Sequence, residues 1–242
     1  MKKDEIIFDE RFTGTLTVSK VSKFYGDNNE VKALDGVSLQ FFTGQFVVIL
    51  GASGSGKSTL LNLIGGMDMA SEGEINIGGV DITQLSPENY ARYRREVVGF
   101  IFQFYNLMPN LTALENVQIA EIPGEMKAEE ALELVGLSDK HNNFPSELSG
   151  GEQQRVSIAR AIVKNPTVLL CDEPTGALDS KTGKRIIKLL QDVNKNKDKI
   201  VVVVTHNSAF AEIADRVIRI SDGKIISDVT QKNPKSIEEI EL

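Results

Sequence analysis

The stretch Gly51-Ala52-Ser53-Gly54-Ser55-Gly56-Lys57-Ser58-Thr59 has the residue types and spacing to hold a chain of phosphates. In the pattern G-x-x-x-x-G-K-S the glycines let successive backbone N–H groups turn inward, and a helix opening after them adds partial positive charge. Lys57 is placed to reach the outer phosphates, and the Ser58 hydroxyl to ligate Mg²⁺. A second group of interest is Asp172-Glu173, two carboxylates directly after the apolar run Val168-Leu169-Leu170-Cys171. In a phosphate-loop fold the strand beside the loop delivers such carboxylates to the metal, so Asp172 is expected to hold Mg²⁺ through water. Glu173 can polarise an attacking water, which must lose a proton as it bonds to phosphorus. A third group is Leu148-Ser149-Gly150-Gly151-Glu152-Gln153-Gln154-Arg155. A helix opening on a serine and two glycines offers free N–H groups and a hydroxyl, a second anion-binding cradle. One active site rarely needs two.

These residues need elements to position them. Phe46-Val47-Val48-Ile49-Leu50 reads as a buried strand before the loop, and Leu60 to Ile64 as helix after it, closed by Gly65-Gly66. Upstream, Thr15 to Val21 alternates like a half-exposed strand, followed by Phe24-Tyr25-Gly26, a polar turn at 27–29 and a strand over Val37 to Phe41. Downstream, a turn and short strand lie within Ser71 to Gly79. Ser86-Pro87 reads as a helix start, and Val97 to Phe102 as a strand ending at Gln103. Between Leu111 and Lys164 the pattern turns helical, with helices expected over Asn110–Val117, Lys127–Val135 and Gly151–Val163. Strands return at Val168–Cys171 and Ile200–Val204 with the helix Lys184–Val193 between them, an order that implies a parallel unit buried on both faces. A helix over Ala209–Ala214, strands over Arg216–Ile220 and near Lys224–Ser227, and a turn at Asp222-Gly223 close the pattern. Met1 to Glu10 reads as frayed, and Gln231 to Leu242 as a loose acidic appendage.

The chain of 242 residues suits one large α/β domain with a helical insert. Its 27 basic against 34 acidic residues give a formal net charge of -7, which argues against a general nucleic-acid binder. One cysteine, Cys171, rules out an intrachain disulfide and suits a reducing compartment, so a cytoplasmic location is expected. No apolar run approaches the roughly twenty residues that cross a bilayer, and no secretory h-region follows Met1 to Glu5. Any membrane role is then borrowed from a partner.

Taken together, the phosphate loop, Asp172-Glu173 and the Leu148 to Gln153 stretch resemble the nucleotide-binding subunits of ATP-binding cassette (ABC) transporters, over about Leu16 to Ser227. The resemblance implies a P-loop NTPase (RecA-like) α/β core with an antiparallel β subdomain and an inserted α-helical subdomain. It implies one domain over 1–242: core roughly 12–102 and 160–228, helical subdomain roughly 103–159, tail 229–242. It also explains the second cradle. In the family two subunits face head to tail, so Ser149, Gly150 and Gly151 would close on the ATP held by the partner's loop. Tyr25 matches the aromatic that stacks on adenine, and Gln103 the glutamine that senses Mg²⁺ and γ-phosphate. Gly176-Ala177-Leu178-Asp179 resembles the loop that contacts the opposing subunit, and His206 matches the histidine that hydrogen-bonds the γ-phosphate. Arg155 and Arg160 are assigned to structural pairing.

Cys171 to Asp179 with Thr205-His206-Asn207 looks most like the macrolide-exporter and lipoprotein-release group, which pairs with FtsX-like permeases that transmit force. The stretch Glu121–Ala131 is shorter than the helical hairpin usual in that group; some Gram-positive antimicrobial-peptide transporters are similar here. The expectation is an ATPase requiring ATP and Mg²⁺, dimeric when ATP is bound. Soluble ABC ATPases of DNA repair or translation are the alternative, but long coiled-coil or zinc insertions and a second cassette are missing from this sequence. A phosphate-loop kinase would not need the Ser149-Gly150-Gly151 cradle.

Overall fold

The computed structural model describes residues 14–26, 30–194 and 199–240. Expectations for Met1 to Glu10 and for the turn at 27–29 lie outside them. The first half of the chain lays down β1 (Thr15–Tyr25), β2 (Val31–Phe42), β3 (Phe46–Leu50), α1 (Lys57–Ile64), β4 (Glu72–Ile77), β5 (Val80–Asp81), α2 (Pro87–Glu96) and β6 (Val98–Ile101). The second half adds α3 (Ala113–Gln118), α4 (Ala128–Leu134), α5 (Gly150–Ile162), β7 (Val168–Asp172), α6 (Ser180–Asn194), β8 (Ile200–Thr205), β9 (Arg216–Ser221) and β10 (Lys224–Thr230). A six-stranded sheet in the order β10-β9-β3-β8-β7-β6 and an antiparallel four-stranded sheet in the order β2-β1-β4-β5 form the α/β body.

Strand β3 is apolar at every position because both of its faces are covered. Phe46, Val48 and Leu50 join a core with Val117, Leu132, Val156, Ile187 and Leu190 of the helices. Val47 and Ile49 face the other way, into a core with Leu16, Phe41, Leu60, Leu61 and Ile75. The two-residue period of a strand thus sets β3 between two cores, and the loop that follows it is anchored from both sides. Helix α1 is held at its far end as well. The buried Tyr93 hydroxyl donates to the Ile64 carbonyl at 2.7 Å and Arg94 Nη1 to the Gly66 carbonyl at 2.9 Å, satisfying C-terminal carbonyls.

Helices α3, α4 and α5 pack on one another as the helical insert. Its entry is fastened by Asn116, fully buried, whose Oδ1 accepts from Met108 N–H and whose Nδ2 donates to the carbonyls of Met108, Leu111 and Thr112. Helix α3 begins at Ala113, later than expected at Asn110, because Thr112 and Glu115 form a reciprocal capping box. Helix α6 begins earlier than expected, at Ser180, and the helix expected over Ala209–Ala214 is 3₁₀ over Ser208–Ile213. Strands β1 and β2 are longer than expected. Their pairing shifts register between Val18 and Val21, where Lys20 takes φ 50°, and such bulges break the alternation by which a strand is read.

Two expectations are corrected. The strand that carries the phosphate loop, β3, lies between β9 and β8; β7, which carries Asp172, lies one place further out, beyond β8. The tail is no loose appendage either. After β10 it turns back, Ile237 and Ile240 enter the helix-side core at 4% exposure each, and Lys188 of α6 pairs with Glu238 at 3.1 Å. The sequence pattern masked this because only two apolar residues in an acidic run do the docking. Ile237→Ala is accordingly expected to cost about 2–4 kcal/mol, read as a lower urea midpoint at unchanged slope; a wild-type midpoint would show that the tail does not pack.

Candidate active site

The loop between β3 and α1 is built by backbone conformations that side chains resist. Gly56 sits at φ 103°, and a Cβ there would lie 2.5 Å from the Ala33 carbonyl oxygen, so the turn into α1 requires glycine. Lys57 opens the helix with its side chain folded back over the loop, where Nζ donates to the carbonyls of Gly51 at 2.8 Å and Ala52 at 2.7 Å. Burial pulls its pKa below the ordinary lysine value, opposed by the negative charges of Glu173 and Asp172. The buried Ser55 Oγ has no hydrogen-bond partner. A buried cation and an unpartnered buried hydroxyl in a loop at a helix N-terminus form a site that fits an anion.

Asp172 stands at the end of β7, hydrogen-bonded to Ser58, and its pKa is raised, chiefly by burial. The Asp172 carboxylate and the Ser58 hydroxyl are hard oxygen donors of the kind that suits Mg²⁺. Gln103 lies two residues beyond β6, exposed in a bend; the strand expected to run up to it stops at Ile101.

Glu173 adopts φ 48°, the left-handed region that a non-glycine residue enters at a cost, and contacts with Val204, Thr205 and His206 hold it there. Its N–H donates to the Val204 carbonyl at 2.9 Å. Its Oε2 accepts from Thr205 Oγ1 at 2.8 Å, and its Oε1 accepts from His206 N–H at 2.9 Å and lies 2.7 Å from His206 Nδ1. The register that sets Asp172 opposite Val204 brings the end of β7 to the end of β8, so Glu173 and His206 form one unit. His206 remains mostly exposed, its side chain 78% accessible. Glu173, Thr205 and His206 line a cavity of about 210 Å³ that also touches Asp179.

The second cradle lies at the start of α5. Ser149 caps that helix, its Oγ accepting from Glu152 N–H at 3.3 Å and donating to Glu152 Oε2 at 2.8 Å. A Cβ at Gly150 would lie 2.7 Å from the Tyr105 hydroxyl, so this glycine also serves packing within the chain. Ser149, Gly151 and Arg155 share a cavity of about 410 Å³ with Ala177, Leu178 and Asp179. Asp179 accepts from Thr182 N–H at 3.0 Å at the start of α6, and its contacts with Thr182 hold its carboxyl below the usual range. Leu178 and Asp179 are thus common to both cavities. Arg160 donates to the carbonyls of Tyr105 and Asn106, the structural role expected; Arg155 Nε is buried without a hydrogen-bond partner.

Tyr25 ends β1 half-exposed, with hydrogen-bond contacts to Asp68 and, near the first turn of α1, to Thr59. Burial and the Asp68 carboxylate raise its pKa. Cys171 is fully buried, and burial pushes its thiol up, which suits an inert core residue. Three residues that sequence reasoning did not assign to the site stand in it: Thr205, Asp68 and Lys23. Thr205 had one signal, a hydroxyl at a strand end directly before His206. Asp68 and Lys23 had none, since 45 residues separate them.

Residues 34–176 match the family described as ABC transporter. The macrolide export ATP-binding/permease protein MacB of Hyphomonas neptunium is 44% identical over 225 residues, which cover 90% of this chain and 35% of that protein; the chain spans about a third of such relatives. The uncharacterized ABC transporter ATP-binding protein MJ0796 of Methanocaldococcus jannaschii is 44% identical over 222 residues, 87% of this chain and 94% of that protein. The solved dimeric structure of the cassette MJ0796 in a post-hydrolysis state, bound to ADP and Pi, superposes with a TM-score of 0.84 at 42% identity, covering 90% of this chain and 99% of that one.

Proposed function

This chain belongs to the ABC transporter family as an ATP-binding, ATP-hydrolysing cassette, and we propose that two copies close head to tail on two ATP molecules beneath an FtsX-like permease. The observation that carries the chemistry is the fixed Glu173 carboxylate at the end of β7, bound by Thr205 and His206, with the buried Lys57 ammonium close enough to feel its charge. In this reading the amides from Ser53 to Thr59 bind the phosphates, and Lys57 neutralises charge on the outer ones as the bond to the leaving oxygen stretches. Ser58, Asp172 and Gln103 would hold Mg²⁺, which would supply charge neutralisation at the phosphate oxygens. Glu173 takes the proton of the attacking water, and His206 turns its ring toward the γ-phosphate. Tyr25 stacks on the base.

Ser149, Gly150 and Gly151, with Asp179 beside them, would complete the partner's site in trans. The shared cavity of Ser149, Gly151 and Asp179 supports that grouping, as does the dimeric state of the solved cassette MJ0796. Each subunit then reads nucleotide at two places. Binding draws the pair together, hydrolysis releases it, and the motion becomes work in the attached permease.

The permease and cargo are inferred from the MacB relatives, whose printed name joins macrolide export, ATP binding and a permease in one protein. Export of a macrolide, an antimicrobial peptide or a lipoprotein-like cargo fits that likeness, with this chain on the inner face of the cell membrane. Among the described residues no helix is long and apolar enough to cross a membrane. The test is affinity purification of the tagged, full chain from detergent-solubilised membranes. A co-purifying integral-membrane protein that stimulates ATP turnover in liposomes is expected; recovery of ribosomes or DNA-repair proteins in its place would overturn the transport reading.

A further inference from the structure

Lys23, Tyr25 and Asp68 form a closed cluster that the hydrolysis chemistry leaves unused. The Tyr25 hydroxyl donates to Asp68 Oδ2 at 2.8 Å. Lys23 Nζ donates to Asp68 Oδ1 at 2.6 Å and to the Met69 carbonyl at 2.8 Å, and sits 4.8 Å from the centroid of the Tyr25 ring. The Lys23 side chain is only 12% exposed, whereas Tyr25 is 40% exposed. A mostly buried ammonium therefore covers one face of a ring that solvent can still reach.

We propose that Asp68 and Lys23 are positioning residues that lock the Tyr25 ring as a one-sided platform for the nucleotide base. A tyrosine at the end of a strand has two side-chain torsions, and stacking on a free ring would cost their ordering each time. Here the hydroxyl is tied to a carboxylate that comes from the loop after α1, the same helix whose N-terminus carries the phosphate loop. The ring is thus referenced to the phosphate site through one rigid element. The ammonium attracts the π-cloud of one face and excludes a base from it, leaving the opposite face for stacking. A base held there and phosphates held at Lys57 would be positioned as one ligand.

The inference rests on Tyr25 being the base platform, so its test separates the two claims. Dissociation constants of the full chain are measured with Mg²⁺ for ATP and for inorganic tripolyphosphate, which has no base. Tyr25→Leu is expected to weaken ATP about tenfold and leave tripolyphosphate unchanged. Tyr25→Phe, which removes the hydroxyl, and Asp68→Asn, which removes the carboxylate charge that holds both the hydroxyl and the Lys23 ammonium, are each expected to weaken ATP about three- to tenfold, and the double variant by less than the two combined. Unchanged ATP affinity in Tyr25→Leu overturns the platform itself. If Tyr25→Leu weakens ATP but Tyr25→Phe and Asp68→Asn do not, the platform stands and the positioning role falls. Equal losses for both probes would make Asp68 a structural support of the phosphate loop and also overturn the proposal. Should Asp68→Asn fail to fold, Tyr25→Phe carries the test alone.

Discussion

Glu173→Gln is expected to reduce ATP turnover by about 10²–10⁴-fold while ATP still binds, so that the ATP-bound dimer accumulates. The amide has the shape of the carboxylate and keeps an oxygen for the N–H of His206, which now fixes it at 2.9 Å. The Thr205 hydroxyl, a donor to Oε2 in the wild type, can turn and accept from the new amide nitrogen. What the variant lacks is a group that takes a proton from water. Binding energy that draws two subunits together is untouched, and the step that releases them is stopped. Phosphate release at saturating ATP and size-exclusion chromatography with ATP read the two halves of the effect. Near-normal steady-state turnover would show that the base lies elsewhere, and His206, which shares the Glu173 carboxylate at 2.7 Å, would be the first residue to examine.

The same residue shows what the sequence makes legible. Asp172-Glu173 after four apolar residues announces carboxylates at the end of a buried strand, and the glycine loop announces its own strand and helix, because both patterns lie within about twenty neighbouring residues. The contact of Glu173 with Thr205 and His206 spans more than thirty residues and depends on β7 and β8 being adjacent in exact register, Asp172 opposite Val204. No local pattern specifies a register between distant strands. For the same reason β8 and β9, and not β7, could not be recognised as the neighbours of the loop strand. Lengths failed for another cause: Lys20 at φ 50° and Gly36 at φ 62° distort β1 and β2, so alternation ceases although pairing continues. The tail misleads in the opposite sense. Its composition is that of a solvated segment, yet Ile237 and Ile240 suffice to dock it, since burial of single side chains, and not mean polarity, decides whether a short segment is held.

A mixture of two inactive variants is expected to regain activity. Ser149→Arg places a bulky side chain at the start of α5, where Ser149 borders the cavity it shares with Asp179, and leaves the phosphate loop intact. Lys57→Met removes the buried ammonium and leaves the α5 cradle intact. If each site joins the loop of one subunit to the cradle of the other, a homodimer of either variant has two defective sites and neither should turn over ATP. A mixed dimer differs: the intact loop of the Ser149→Arg chain meets the intact cradle of the Lys57→Met chain, giving one complete site and one doubly defective site. Random pairing makes half of the dimers mixed, so about a quarter of the wild-type number of sites returns. Sites contained within one chain predict zero recovery at any mixing ratio. Phosphate release measured across ratios therefore decides whether a loop that binds phosphate in one subunit is, for catalysis, half of a site whose other half belongs to a second copy.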